Sequence, residues 1–187
     1  RHEALSFVLE KSQFATATEM NSRYPIYFKQ FIAKGIAHEL LDPQLQQFDL
    51  ERLSQAIVSD RDLQFSYLGL QTLYDRYFLH WHETRFELPQ AFFMRVAMGL
   101  ALHEADREAR AIEFYHLISQ FDFMCSTPTL FNSGTLHPQL SSCFVSTVPD
   151  DLEGIFGAIR DNALMQKWAG GLGNDWTNVR GMGALIK

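Results

Sequence analysis

The stretch that most constrains this chain runs from Gln139 to Arg180, QLSSCFVSTVPDDLEGIFGAIRDNALMQKWAGGLGNDWTNVR, because its residue pattern changes twice within a short length. SSCFVSTV alternates and is rich in β-branched residues, which argues for a strand. Asp150 then offers an N-cap, Glu153 follows in a capping-box arrangement, and Asp151 adds negative charge where the helix dipole favours it. Leu152, Ile155, Phe156 and Ile159 form the leading part of an apolar face, which Ala163 continues and Met165 or Gln166 extends less regularly, with Trp168 near the end. Ala169-Gly170-Gly171-Leu172-Gly173-Asn174 stops that helix, its glycines able to take left-handed geometry or to let a ligand approach the backbone. A strand leading into an amphipathic helix is the opening of an α/β unit.

Upstream, the period is helical. Arg1 to Ser22 is weakly patterned and ATATEMNS reads as a connection, so residues 1–22 are expected to be a linker or the end of a removed N-terminal module. Tyr24 to Leu41 sets Tyr24, Phe28, Phe31, Ile32 and Ile36 on one helical face, and Asp42-Pro43 closes it. A short helix spans Leu50 to Val58, Ser59-Asp60 offer capping oxygens, and a helix from Asp62 to His80 repeats Leu63, Tyr67, Leu70, Tyr74 and Tyr77 along one seam. Pro89 opens another with Phe92, Phe93, Val96 and Leu100 inward, and Asp106 to Gln120 makes a further one with Ile112, Tyr115 and Ile118. Such stripes are core rather than cofactor pocket, and bundled helices are expected. His80 and His82 beside Glu83 invite a metal reading, yet their spacing faces opposite sides of a helix where that helix runs out, so a surface turn is expected and no metal. After Gln120 the period fades, and FDFMCSTPTLFNSG, with Pro128 and a turn at Asn132-Ser133-Gly134, reads as an extended segment with a loop.

Composition narrows the class. With 47% hydrophobic residues over 187 positions, the chain can bury a sizeable core, and no low-complexity block divides it. Sixteen Lys+Arg against 22 Asp+Glu give a formal net charge of −6 without a basic run, which disfavours bulk nucleic-acid binding but permits one nucleotide held by a few local groups. Two cysteines, Cys125 and Cys143, are too few for a secreted disulfide scaffold and fit a reducing cytoplasm. RHEALSFVLEKS lacks an apolar signal-peptide core, and charges interrupt every run long enough to span a bilayer.

Taken singly, these signals have bland uses. A lone strand cysteine is most often a small hydrophobe, and a capping box marks only a helix start. The glycine-rich turn lacks the GxxxxGK[ST] pattern and follows a helix rather than a strand, so neither a P-loop nor a dinucleotide fingerprint applies. Their order is more specific: STPTLFNSG, then QLSSCFVSTVPDDL, a helix, and WAGGLGNDWTNVRGMGALIK resemble the catalytic large subunit of ribonucleotide reductase, most closely the class I ribonucleoside-diphosphate reductases. The likeness is strongest over Phe121 to Lys187. YLGLQTLYDRYFL and ELPQAFFMRVAMGLA resemble the family's helical region, and its N-terminal regulatory module, the ATP cone, is not visible.

The resemblance implies a mainly α chain, with a helical N-terminal domain over residues 23–120 and, over 121–187, the first strands and a helix of a ten-stranded α/β barrel. It implies reduction of ribonucleoside diphosphates to 2′-deoxyribonucleoside diphosphates for DNA precursor synthesis. A thiyl radical takes the 3′ hydrogen, water leaves C2′, and a pair of cysteine thiols gives two electrons as it becomes a disulfide. Cys143 matches one thiol of that pair, which thiol–disulfide exchange must restore. Thr127, Ser142 and Gly171 match substrate contacts, the glycine by leaving room. Asp150, Asp151 and Leu152 match the start of the specificity-effector site for ATP, dATP, dTTP or dGTP, while Arg180 and Lys187 match cationic contacts to effector phosphates, Lys keeping the charge without the bidentate fork. Cys125 is expected to be a buried structural thiol.

The implied partners are a radical-generating small subunit, a second copy packed across the 150–169 helix, and thioredoxin or glutaredoxin. The radical cofactor belongs to the small subunit, so none is expected in this chain, and neither a membrane nor nucleic acid is expected as a partner. By the same resemblance the chain stops at Lys187 inside the loop linking effector to substrate site, without the radical cysteine or the disulfide partner of Cys143, and is expected to be inactive alone. The adenosylcobalamin-dependent and anaerobic reductases are the alternative, as is a non-catalytic helical interaction module, which leaves residues 139–180 without a purpose.

Overall fold

The structure, a computed structural model, describes residues 2–10, 17–167 and 170–185. The chain divides into two compact units, one of Arg1–Cys125 with Leu130–Pro138 and the other of Ser126–Thr129 with Gln139–Lys187. The first contains α1 (His2–Leu9), α2 (Ala17–Ser22), α3 (Tyr24–Ala37), α4 (Leu50–Ala56), α5 (Tyr67–Arg76), a hairpin of β1 (His80–Trp81) and β2 (Thr84–Arg85), α6 (Pro89–Ala101) and α7 (Arg107–Ser119). Short 3₁₀ turns occupy Pro43–Gln47 and Ser59–Gln64.

The helical unit is built around α6, which is buried on all sides, including Phe92, Phe93, Met94, Val96 and Met98. A helix this apolar throughout belongs inside a core rather than on its rim. α7 packs along it through Ala111, Tyr115 and Ile118, and α3 supplies Tyr24, Tyr27, Phe28, Phe31 and Ile32. Buried tyrosine hydroxyls satisfy the polar backbone leading into α6. Tyr27 donates to Phe86 O at 2.5 Å and accepts from Leu88 N at 2.9 Å, Tyr24 accepts from Gln90 N at 3.0 Å, and Tyr115 donates to Gln90 Oε1 at 2.9 Å. Within the same core the fully buried Arg95 pairs with Glu87, Nε to Oε1 at 2.7 Å, and donates to the carbonyls of Ser133 at 2.6 Å and Leu130 at 3.2 Å. Leu79 N closes the network on Glu87 Oε2 at 2.9 Å, so both ions are compensated and hydrogen-bonded.

Several expectations hold and several are corrected. The inward residues of α3, α6 and α7 are buried or half-buried as their spacing predicts, and Asp106 caps α7 by accepting from Ala109 N at 3.1 Å. ATATEMNS, read as a connection, carries α2, and in the weakly patterned residues before it Ala4, Leu5 and Val8 of α1 lie in the core. The helix expected from Asp62 starts only at Tyr67, where Ser66 caps it by accepting from Gly69 N at 3.2 Å, because Ser59–Gln64 is a 3₁₀ turn. Most of its seam is not core: Leu63 is 78% exposed and Tyr67 83%, and of the seam residues Tyr77 packs inward, together with Leu73, a residue off that seam. FDFMCSTPTLFNSG contains a helix, α8 (Thr127–Asn132), because Pro128 falls in a first turn, where its missing N–H costs nothing. Gly134, at φ 75°, makes the expected turn, and its carbonyl accepts from Asp42 N at 3.1 Å. The surface turn around His80 and His82 is the tip of the hairpin, with His82 at φ 52° and His80 Nδ1 3.0 Å from His82 O.

The second unit is a β–α–β arrangement: β3 (Cys143–Thr147), α9 (Leu152–Gln166) and β4 (Gly171–Asp175). β3 and β4 pair in parallel, Cys143 opposite Gly171 through Thr147 opposite Asp175. A parallel pair needs a long crossover, which α9 supplies. The glycine-rich segment read as a helix stop is therefore a strand from Gly171 onward.

Candidate functional site

The predicted site residues that lie among the described ones collect at the two ends of β3. At its first end Cys143 is exposed and its thiol is free. Alternation along the strand puts Val145 and Thr147 on the same exposed face, with Phe144 and Ser146 half-buried on the other. Gly170 lies against that inner face, where a β-carbon would sit 2.5 Å from the Phe144 ring, so only glycine allows the approach. Gly171 N donates to Ser142 O at 2.7 Å, and a β-carbon there would stand 3.3 Å from Ser142 O and 3.7 Å from Cys143 Sγ. The missing side chain keeps space open beside the thiol. Ser142, Cys143 and Gly171 are thus brought together directly.

Thr127, exposed at the start of α8, reaches this end through its neighbours. Thr129 Oγ1 donates to Leu140 O at 3.1 Å and lies 3.1 Å from Ser126 Oγ, tying the STPT turn to the residues just before Ser142.

The other end of β3, roughly 13 Å along at about 3.3 Å per residue, carries the acidic pair. Val148 N donates to Asp175 O at 2.9 Å, extending the ladder past the strand. Asp150 then takes hold of Arg180: Oδ1 accepts from the Arg180 backbone N at 3.0 Å, and Oδ2 accepts from Nε at 2.7 Å and Nη2 at 2.6 Å. Arg180 Nη1 donates to Leu185 O at 2.6 Å. The Asp150 hydrogen bond pushes the guanidinium's pKa further up from its already high value.

The helix cap is corrected by one residue. Asp151, in extended conformation at φ −148° and ψ 160°, is the N-cap, and its Oδ1 accepts from Gly154 N at 2.7 Å. Asp150 instead directs both its oxygens at Arg180. Leu152, the first residue of α9, is 57% exposed, and Phe156 and Ile159 on the same face are 63% and 50% exposed. Lys187, Trp168 and Ala169 lie outside the described residues. Cys125 belongs to the helical unit, half-buried and packed against its core, and burial pushes its thiol pKa up.

Sequence reasoning missed β4 and its register, and with them two contacts that hold the site's frame. Ser146 Oγ donates to Asn174 Oδ1 at 2.8 Å across the strands, and Asp175 Oδ1 accepts from Thr177 N at 2.9 Å to start the turn toward Arg180. The D-x-T spacing was the available signal, since such carboxylates bond their own backbone two residues on. No group of three His, Cys, Asp or Glu among the described residues could hold a metal ion. A cleft of about 670 Å³, lined by Phe65, Leu68, Phe92, Phe93 and Met124, belongs to the helical unit and contains none of the predicted site residues.

Two family descriptions match the chain: ribonucleotide reductase, all-alpha domain, over residues 63–138, and ribonucleotide reductase, barrel domain, over residues 141–187. It is 54% identical over 179 residues to the ribonucleoside-diphosphate reductase subunit alpha of Chlamydia trachomatis, covering 96% of this chain and 17% of that protein. Identity to the subunit alpha of Helicobacter pylori is 45% over 161 residues, covering 86% and 20%, and to the large subunit of Arabidopsis thaliana 43% over 137 residues, covering 73% and 16%. The chain therefore spans about a sixth to a fifth of the length of these relatives.

Proposed function

The chain belongs to the ribonucleotide reductase large-subunit family, and from that premise we propose that it supplies the helical region and the first β–α–β unit of a class I ribonucleoside-diphosphate reductase. The observation that carries the proposal is one short strand with a free, exposed thiol at one end and an aspartate–arginine pair at the other. The thiol end serves substrate and the acidic end serves effector.

At the substrate end, Cys143 acts as one thiol of the reducing pair. Two thiols lose two hydrogens and form one disulfide while the substrate loses its 2′ hydroxyl as water, so one ribonucleotide is reduced per disulfide formed. Gly171 leaves room beside Sγ, and Ser142 and Thr127 place hydroxyl and backbone groups where a diphosphate can be held by neutral donors, which suits an acidic protein. The radical that starts the reaction is supplied by a cofactor of the small subunit; this chain's residues bind and reduce.

At the effector end, Asp150, Asp151, Leu152 and Arg180, with Lys187, receive ATP, dATP, dTTP or dGTP. Asp150 accepts from a sugar hydroxyl and Arg180 meets phosphate. The apolar face of α9 supports dimerisation, because Leu152, Phe156 and Ile159 are exposed at helical spacing. A second copy, the small subunit, and thioredoxin or glutaredoxin complete the assembly, in the cytoplasm. No helix among the described residues is long and apolar enough to cross a membrane.

The test is Cys143→Ser in the intact polypeptide that carries this sequence, assayed with its small subunit and a ribonucleoside diphosphate. Deoxynucleotide formation is expected to fall at least about a thousandfold, as when a group acting only in the chemical step is removed, while effector still binds. Turnover within threefold of the parent would overturn the assignment.

A further inference from the structure

We propose that the Asp150–Arg180 pair is a latch that a nucleotide effector must open: without nucleotide, the Asp150 carboxylate occupies the guanidinium donors that would otherwise take the effector's phosphate. The inference rests on reading this end of β3 as an effector site.

The geometry is that of a self-occupied anion site. Arg180 presents Nε and Nη2 to Asp150 Oδ2 at 2.7 and 2.6 Å, and those are the donors a guanidinium uses in a fork toward phosphate. Oδ1 accepts the Arg180 backbone N–H at 3.0 Å, so the carboxylate holds the residue by main chain and side chain together. The third arm, Nη1, is committed to Leu185 O at 2.6 Å. All three guanidinium nitrogens are therefore engaged inside the protein.

The pair is nevertheless accessible. The two side chains keep 29% and 27% of their surface in solvent, so an anion can approach, and an ion pair at such a site contributes little net stability. Opening it is within reach of a ligand carrying several negative charges. The exchange is balanced: Arg180 gives up a carboxylate and gains a phosphate, and Asp150, freed from Arg180, gains the ability to accept from the ribose hydroxyl of the same ligand. A ligand with phosphate but no sugar opens the latch without that second return, which makes it the discriminating probe.

Inorganic tripolyphosphate, titrated calorimetrically into the intact polypeptide at one ionic strength, tests the latch. Asp150→Asn is expected to bind it at least about tenfold more tightly than the parent, since a freed arginine fork binds phosphate bidentately. Asp151→Asn removes the same charge one residue away and still caps α9, so its affinity is expected to change by less than about threefold, the general electrostatic effect alone. Asp150→Ser, too short to reach the guanidinium, repeats the comparison without an amide. Arg180→Gln is expected to abolish binding in every background. Equal tightening in the Asp150 and Asp151 variants, or none in either, overturns the latch while the Arg180 result leaves the effector reading standing. Undiminished tripolyphosphate binding by Arg180→Gln overturns the effector reading and the latch together.

Discussion

Arg95 has 0% of its side chain exposed and spends its donors on Glu87, Leu130 and Ser133, so its charge is tied to a single arrangement of the helical unit. Arg95→Met should leave Glu87 buried without its counterion and should cost about 3–5 kcal/mol, read from urea denaturation; a loss below about 1 kcal/mol would mean that water or another cation takes the place of the guanidinium. Tyr27 makes the complementary case for pH. Burial, reinforced by the nearby Glu87 charge, raises its pKa well above the ordinary phenol value. The folded state thus holds a proton that the unfolded chain releases above about pH 10, and stability from this group is present below that pH and falls as pH rises toward the folded value. Tyr27→Phe should be less stable at neutral pH, having lost two hydrogen bonds, yet should lose stability less steeply above about pH 10. Equal alkaline slopes in the two proteins would contradict the shift. That Tyr24, Tyr27 and Tyr115 are core residues could be read from spacing; that their hydroxyls bond the chain leading into and along α6 could not, since those partners lie 25 to 66 residues away.

Elements were legible where their signals are local and long. α3, α6, α7 and α9 all announce themselves by apolar spacing, and β3 by alternation. α8 has six residues, too few for a period to show, and a proline in its first turn looks the same as one in a loop. β4 is GLGND, with almost no strand propensity, and exists because its backbone completes a ladder with β3. The cap of α9 was displaced by one residue for a physical reason: the Asp150 carboxylate is turned toward Arg180, 30 residues on, and Asp151 is the side chain that reaches the helix N–H groups. Asp151→Ala is accordingly expected to cost about 1 kcal/mol and to fray α9, with the helical circular dichroism signal as readout, whereas Asp150→Ala should leave helix content unchanged. The reverse order of effects would restore Asp150 as the cap.

At the scale of the whole molecule, the same apolar spacing serves two ends. On α6 it is buried within the helical unit, and on α9 it is left facing outward through Leu152, Phe156 and Ile159. If that face joins two copies, Phe156→Glu with Ile159→Glu should shift the intact polypeptide to monomer in sedimentation velocity with effector present, the introduced charges being unpayable in an apolar interface; retained dimer would place the contact elsewhere. The order of residues by itself determined that this is a mainly helical chain leading into an α/β unit, and which family it resembles, because periodicity, caps and motif order are properties of neighbours along the chain. Only the tertiary structure decided which stripe is core and which is open, that Gly171 stands opposite Cys143, and that Asp150 holds Arg180, because each depends on a partner brought near by folding from another part of the chain.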